Sequence, residues 1–129
     1  MTRIRHITTS NAAAPTASYS QAMAYESLIA TGGQVGRDAK SGELAADLRE
    51  QVDQAIKNLR EVLIAAGSDM DHVLKVNCFL ANIDDFASFD AVYRTHFKEP
   101  FPARSTIGIA LAGDLQFEIE AWAVAKERI

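Results

Sequence analysis

The stretch DLREQVDQAIKNLREVLIAAGSDMDHVLKVNCFL, residues 47–80, carries two periodicities in succession. In its first part Leu48, Val52, Ile56, Leu59, Val62 and Leu63 recur every three or four residues. That spacing draws one apolar stripe along a helix from Asp47 to Ala66. Gly67 stands just past the stripe, where a left-handed residue closes a last turn. Ser68 is placed to cap a short turn starting at Asp69. The second part, Val73 to Leu80, has the β-branched and apolar content of a buried strand.

Working outward, the N-terminal side is loop-like from Asn11 to Ala17, with Pro15 against any helix. Two strands follow, near Ser18–Tyr25 and Leu28–Thr31, the second stopping at Gly32-Gly33. Asp38 to Gly42 reads as a turn-rich loop. On the C-terminal side a second helix is expected over Asp84 to Phe97, with Phe86, Phe89, Tyr93 and Phe97 on one side. Pro100 and Pro102 then forbid helix and force an extended entry. Two strands close the chain, Ala103–Leu111 and Leu115–Val124, around Ala112-Gly113-Asp114. The expected order is β-β-α-β-α-β-β, an α+β fold with two helices on one face of a mixed sheet. No repeat or linker interrupts the 129 residues, so residues 1–129 read as one domain.

Composition narrows the function. Thirteen basic against seventeen acidic residues leave a net charge of −4, which disfavours broad binding of nucleic acid. The single cysteine, Cys78, excludes an internal disulfide and suits a small apolar core position. No apolar run approaches the roughly 18 residues of a membrane span. The segment Met1 to Ala17 lacks the apolar stretch of a secretory signal, so a cytoplasmic protein is expected. His6, His72 and His96 lack ligand spacing, and no metal site is expected. Gly32-Gly33-Gln34-Val35-Gly36 has no following Gly-Lys-Ser/Thr and is no phosphate-binding loop.

The residue that stands out is Arg104, in Phe101-Pro102-Ala103-Arg104-Ser105-Thr106. A guanidinium inside an apolar strand needs a partner. Alternation puts Arg104 and Thr106 on one face of that strand, and Glu118, Glu120 and Trp122 on one face of the last. An internal ion pair of Arg104 with Glu118 or Glu120 is one reading; a ligand anchor is the other. If the last two strands form a hairpin, a three-residue loop from Ala112 to Asp114 sets Arg104 and Glu118 on one face. A two-residue loop sets them on opposite faces. The first is preferred, because it leaves a clean apolar face for the helices.

In this company the motif resembles the RidA/YjgF family. The segment Phe101 to Ser105 is matched together with Phe117-Glu118-Ile119-Glu120-Ala121, Ala17-Ser18-Tyr19-Ser20-Gln21, Thr31-Gly32-Gly33-Gln34 and Lys40-Ser41-Gly42-Glu43. The resemblance runs in order from about Tyr19 to Ala123. It implies a chorismate-mutase-like fold, a homotrimer with sites between subunits, and hydrolysis of reactive 2-imino and enamine acids to 2-oxo acids and ammonia without a cofactor. In that frame Arg104 anchors the substrate carboxylate and Glu118 positions or activates water. Tyr19 lines the pocket or plugs the core, and Gly33 offers a backbone N–H or serves only as a turn.

Three positions depart from the best-characterised subgroup. Thr106, counted by the resemblance among the catalytic residues, stands for a cysteine; Gly32 and Asp90, counted among the substrate-binding ones, stand for a serine and for an asparagine on the second helix. Asp90 adds negative charge where an anionic substrate would sit. The departures keep a second function open, a protein that binds carboxylate metabolites without turning them over. A third, a ribonuclease, fits poorly with the acidic balance and the absent basic stripe.

Overall fold

A computed structural model describes residues 3–126; the ends of the domain expected over 1–129 lie outside the described residues. Helix α1 spans Leu48–Ala65, and the residues of its predicted stripe are all buried. Asp47 caps it by accepting the Glu50 N–H at 2.9 Å. At the other end Gly67 takes φ 88°. The Gly67 N–H donates to the Ile64 carbonyl and the Ser68 N–H to that of Leu63, which satisfies carbonyls the helix leaves open.

Ser68 does not cap the following turn. Its hydroxyl donates to the Val124 carbonyl at 2.6 Å, and Asp69 takes the capping position of the short 3-10 turn Met70–His72. An acceptor is needed there, and the serine is already committed as a donor.

The strands are β1 (Ile4–Ile7), β2 (Ala22–Tyr25), β3 (Leu28–Thr31), β4 (Val73–Leu80), β5 (Ala103–Gly108) and β6 (Phe117–Val124). Helix α2 covers Phe86–His96, and the 3-10 turn Ile83–Asp85 precedes it, so the helix starts two residues later than the expected Asp84. Strand β1 extends the expected order to β-β-β-α-β-α-β-β. It is an edge strand on which only Ile7 is buried, so Arg5 and His6 sit in it without cost. The expected strand from Ser18 begins only at Ala22. Before it, the buried Gln21 side chain ties the loop by accepting from Thr9 N–H and donating to the Thr9 and Ala13 carbonyls.

The strands lie in the order β1-β2-β3-β6-β4-β5. All neighbours are antiparallel except β4 and β5, which run parallel and are joined through α2. Strand β6 therefore inserts between β3 and β4, and β5 becomes an edge. The last two strands do not pair as a hairpin, so neither hairpin register applies. The core lies between the sheet and the helices, with Ile29, Val76, Leu80, Phe117 and Ile119 facing Val52, Ile56, Leu59 and Phe89. The opposite face carries Met23, Tyr25, Leu28, Ile107 and Trp122, each 40–56% exposed.

Candidate active site

The predicted site residues form two groups. The first is built where β5 enters the sheet. Parallel pairing sets Arg104 beside Val76 and Thr106 beside Cys78, so both side chains point under the helices. The Arg104 guanidinium lies over the rings of Tyr93 at 4.6 Å, Phe89 at 5.1 Å and Phe86 at 5.5 Å. Stacking of a flat cation on aromatic faces holds it rigidly while leaving its edges free to donate.

One edge is taken. Arg104 Nη1 donates to Asp90 Oδ1 at 2.8 Å, and the other Asp90 oxygen accepts from Arg94 Nε at 3.3 Å. The hydrogen bond from Arg104 holds the Asp90 carboxyl below its ordinary range. A cleft of about 340 Å³ opens here, lined by Asp90, Tyr93, Arg94, Phe101, Pro102 and Arg104. The Tyr93 and Thr106 hydroxyls are buried and make no hydrogen bond of good geometry among the described residues. Burial pushes the neighbouring Cys78 thiol up to about 12, so it stays protonated and inert.

The second group is built on β6. Gln34 and Ile119 exchange backbone hydrogen bonds, N–H to carbonyl at 2.7 and 3.0 Å, which ties the Gly32-Gly33 turn to that strand. Gly33 lies flat against the Glu118 side chain; a Cβ there would stand 2.6 Å from the carboxyl carbon. The Gly33 N–H donates to no acceptor among the described residues. Gly32 passes just as closely beneath Ser20, whose carbonyl would be 2.8 Å from a Cβ, with the Tyr19 ring next to it. The half-exposed Tyr19 hydroxyl accepts from the Thr16 N–H at 3.2 Å. Tyr19 is thus no core plug. Partial burial, with the charge of Glu120 nearby, raises the Glu118 carboxyl above its ordinary value. Glu120 accepts from Asn77 Nδ2 at 3.1 Å.

Arg104 and Glu118 lie on opposite faces of the sheet. Arg104 shares the helix face with Val76 and Ala121, whereas Glu118 projects with Phe79 and Ile107 from the other. The expectation of one shared face is overturned because β4 lies between their strands. The expected ion pair with Glu118 or Glu120 is replaced by Asp90, which α2 delivers from above. Sequence reasoning missed the ring cage: Phe86, Phe89 and Tyr93 had the spacing of a core stripe, and they are also the seat of the guanidinium. Among the described residues no group of three or more His, Cys, Asp or Glu could hold a metal, and no helix is long and apolar enough to cross a membrane.

Residues 9–125 match the family model described as Endoribonuclease L-PSP. A rat protein named 2-iminobutanoate/2-iminopropanoate deaminase is 42% identical over 120 residues, 92% of this chain and 88% of that protein. RidA from an Antarctic Psychrobacter superposes with a TM-score of 0.91 at 31% identity, covering 93% of this chain and 98% of its own. E. coli TdcF, solved with bound serine, gives 0.89 at 31% identity over 95% and 99%. The six-stranded mixed sheet with its two helices is the chorismate-mutase-like α+β fold expected from the sequence. By its strand order, its matched length and its relatives, the chain belongs to the RidA/YjgF family.

Proposed function

We propose that the protein is a cofactor-free deaminase that hydrolyses 2-imino and enamine carboxylic acids to 2-oxo acids and ammonia. The observation that carries the reading is Arg104, a guanidinium fixed on three rings with a free donor edge over a cleft sized for a small organic acid. That edge suits a substrate carboxylate held bidentately. The Gly33 N–H is a second donor. The rat relative's name points to such substrates, and the serine in TdcF is a small amino carboxylate of similar size.

An iminium carbon is electrophilic without a covalent nucleophile. Glu118 holds a water and takes one of its protons as the oxygen adds to the C=N carbon. The resulting carbinolamine receives a proton on nitrogen from the same carboxyl, and the carboxylate so regenerated takes the hydroxyl proton as the C–N bond breaks, releasing ammonia and leaving the 2-oxo acid. A carboxyl raised by burial and by Glu120 is suited to both transfers. Thr106 lies behind Arg104 on the same face of β5 with its hydroxyl buried, and Tyr19 stands with the other half, the Gly32 turn beside its ring.

Since Arg104 and Glu118 face opposite sides of one sheet, we propose that the site is assembled between copies, in a homotrimer. The exposed apolar residues of the open face support this reading: Tyr25, Leu28 and Trp122 are a patch that monomers rarely display. Acidic Glu118 and Glu120 on that face argue against a polyanion as substrate, whatever the family model's description.

The test generates 2-imino acids with an amino-acid oxidase and traps survivors with semicarbazide. Purified protein should speed their loss, and Arg104→Ala should abolish the effect. Co-refolding Arg104→Ala with Glu118→Gln chains should restore activity to about a quarter of the sites, as random mixing of shared sites requires. No acceleration by wild type refutes the enzyme; no recovery on mixing refutes the shared site. The second reading, binding without turnover, is favoured by Asp90 already occupying Arg104. It predicts saturable binding of 2-oxo acids with no rate enhancement.

A further inference from the structure

We infer that Asp90 is a specificity-determining residue, an internal carboxylate that restricts the cleft to substrates with one carboxylate and turns away dicarboxylates. The inference rests on the proposed role of Arg104 as the carboxylate anchor. Two guanidiniums, Arg94 and Arg104, line the same cleft of about 340 Å³. Left alone they would form a doubly positive pocket able to hold an acid group on each. Asp90 lies between them, 2.8 Å from Arg104 and 3.3 Å from Arg94, and bonds one oxygen to each. It thereby supplies from within the protein the second carboxylate that a dicarboxylic substrate would bring.

Geometry makes the occupation durable. Asp90 and Arg94 are one helical turn apart on α2, so the pair is held by the helix itself. The Arg104 guanidinium cannot swing away from Asp90 without leaving the faces of Phe89 and Tyr93. Asp90 takes Nη1 alone, which leaves the far edge of the fork for one incoming carboxylate. A second acid group on the substrate would meet Asp90 at close range, in a partly desolvated site where like charges repel strongly. Rejection of this kind works through a built-in repulsive group and needs no clash of shape. An asparagine in the same place would keep the hydrogen bond to Arg104 through its carbonyl and lose the repulsion.

The test compares wild type, Asp90→Asn and Asp90→Glu. Binding of 2-oxobutanoate and 2-oxoglutarate is measured by calorimetry, and kcat and KM are measured for imines generated from a neutral and an acidic amino acid. Wild type should favour the monocarboxylate. Asp90→Asn should tighten monocarboxylate binding by about tenfold and dicarboxylate binding by about a hundredfold, mainly in KM. Asp90→Glu, which retains the charge, should retain the preference. A selectivity unchanged in Asp90→Asn, a preference lost in Asp90→Glu, or no binding of either acid by any of the three overturns the inference. If wild type hydrolyses no imine yet the binding preference shifts as stated, the deaminase reading fails and the inference stands. Hydrolysis with an unmoved preference is the reverse case.

Discussion

Gly33→Ala separates stability from chemistry in this fold. The glycine is not in the left-handed region, so alanine suits its backbone. The added Cβ would stand 2.6 Å from the Glu118 carboxyl carbon and 3.0 Å from its Cγ. Ordinary carbon contacts begin near 3.5 Å, so the carboxylate must retreat by about 1 Å. What it meets is the end of a flexible side chain, so an adjusted rotamer costs about 1 kcal/mol in stability. A displacement of about 1 Å at a group that positions water costs about 10²-fold in rate, equal to about 2.7 kcal/mol of transition-state stabilisation. Semicarbazide-trapped imine hydrolysis should show that loss in kcat/KM, while denaturant unfolding shows a loss of only about 1 kcal/mol. Full activity in Gly33→Ala, alongside a dead Glu118→Gln, would refute the reasoning, because Glu118 would then work from a position the glycine does not control.

Gly36 tests the opposite case. A Cβ there would lie 2.6 Å from the Gln51 carbonyl oxygen in the backbone of α1, which cannot give way. Gly36→Ala should lower unfolding free energy by about 2–3 kcal/mol, read from the denaturant midpoint. The pH dependence follows from Glu118, whose carboxyl is raised in the folded state. The folded protein then binds its proton more readily than the unfolded chain. This contribution to stability is full below the unfolded value and is lost as pH rises through the folded one. Glu118→Gln should therefore be more stable than wild type at pH 7, with the difference vanishing in acid, as unfolding at both pH values would show. Glu120→Gln removes one cause of the raised value and should move the acid limb of the rate profile to lower pH. Arg104→Lys keeps the charge but loses the fork and the ring stacking, and should reduce kcat/KM by about 10²-fold in the same assay.

Helix α1, strand β4 and the family match were legible because each is carried by a local pattern. The α1 stripe and the Gly67 stop lie within one stretch, and the helix formed where they indicated. Strand β1 was invisible because an edge strand with one buried residue leaves no apolar alternation to read. Sheet order was not legible either. That consecutive strands usually neighbour one another is a tendency, and here β4, formed earlier in the chain, separates β5 from β6. From that single misplacement follow both errors at the site, the shared face for Arg104 and Glu118 and the carboxylate given to Arg104. The true partner, Asp90, depends on how α2 docks over β5, a long-range fact that no spacing in the sequence encodes. Gly33 beside Glu118 is similar: the two positions were singled out separately, and only the Gln34–Ile119 bridge brings them into contact.

That bridge has its own consequence. A turn that trades N–H and C=O with a central strand on both sides is a rung of the sheet in everything but outline. The Gln34 and Ile119 amides should exchange with deuterium at the tempo of the surrounding strands and far more slowly than those of the neighbouring Asp38–Gly42 loop. The glycine pair then behaves as a fixed doorpost with no hinge of its own, and selection at this half of the cleft falls to the shape and charge of the molecule that arrives.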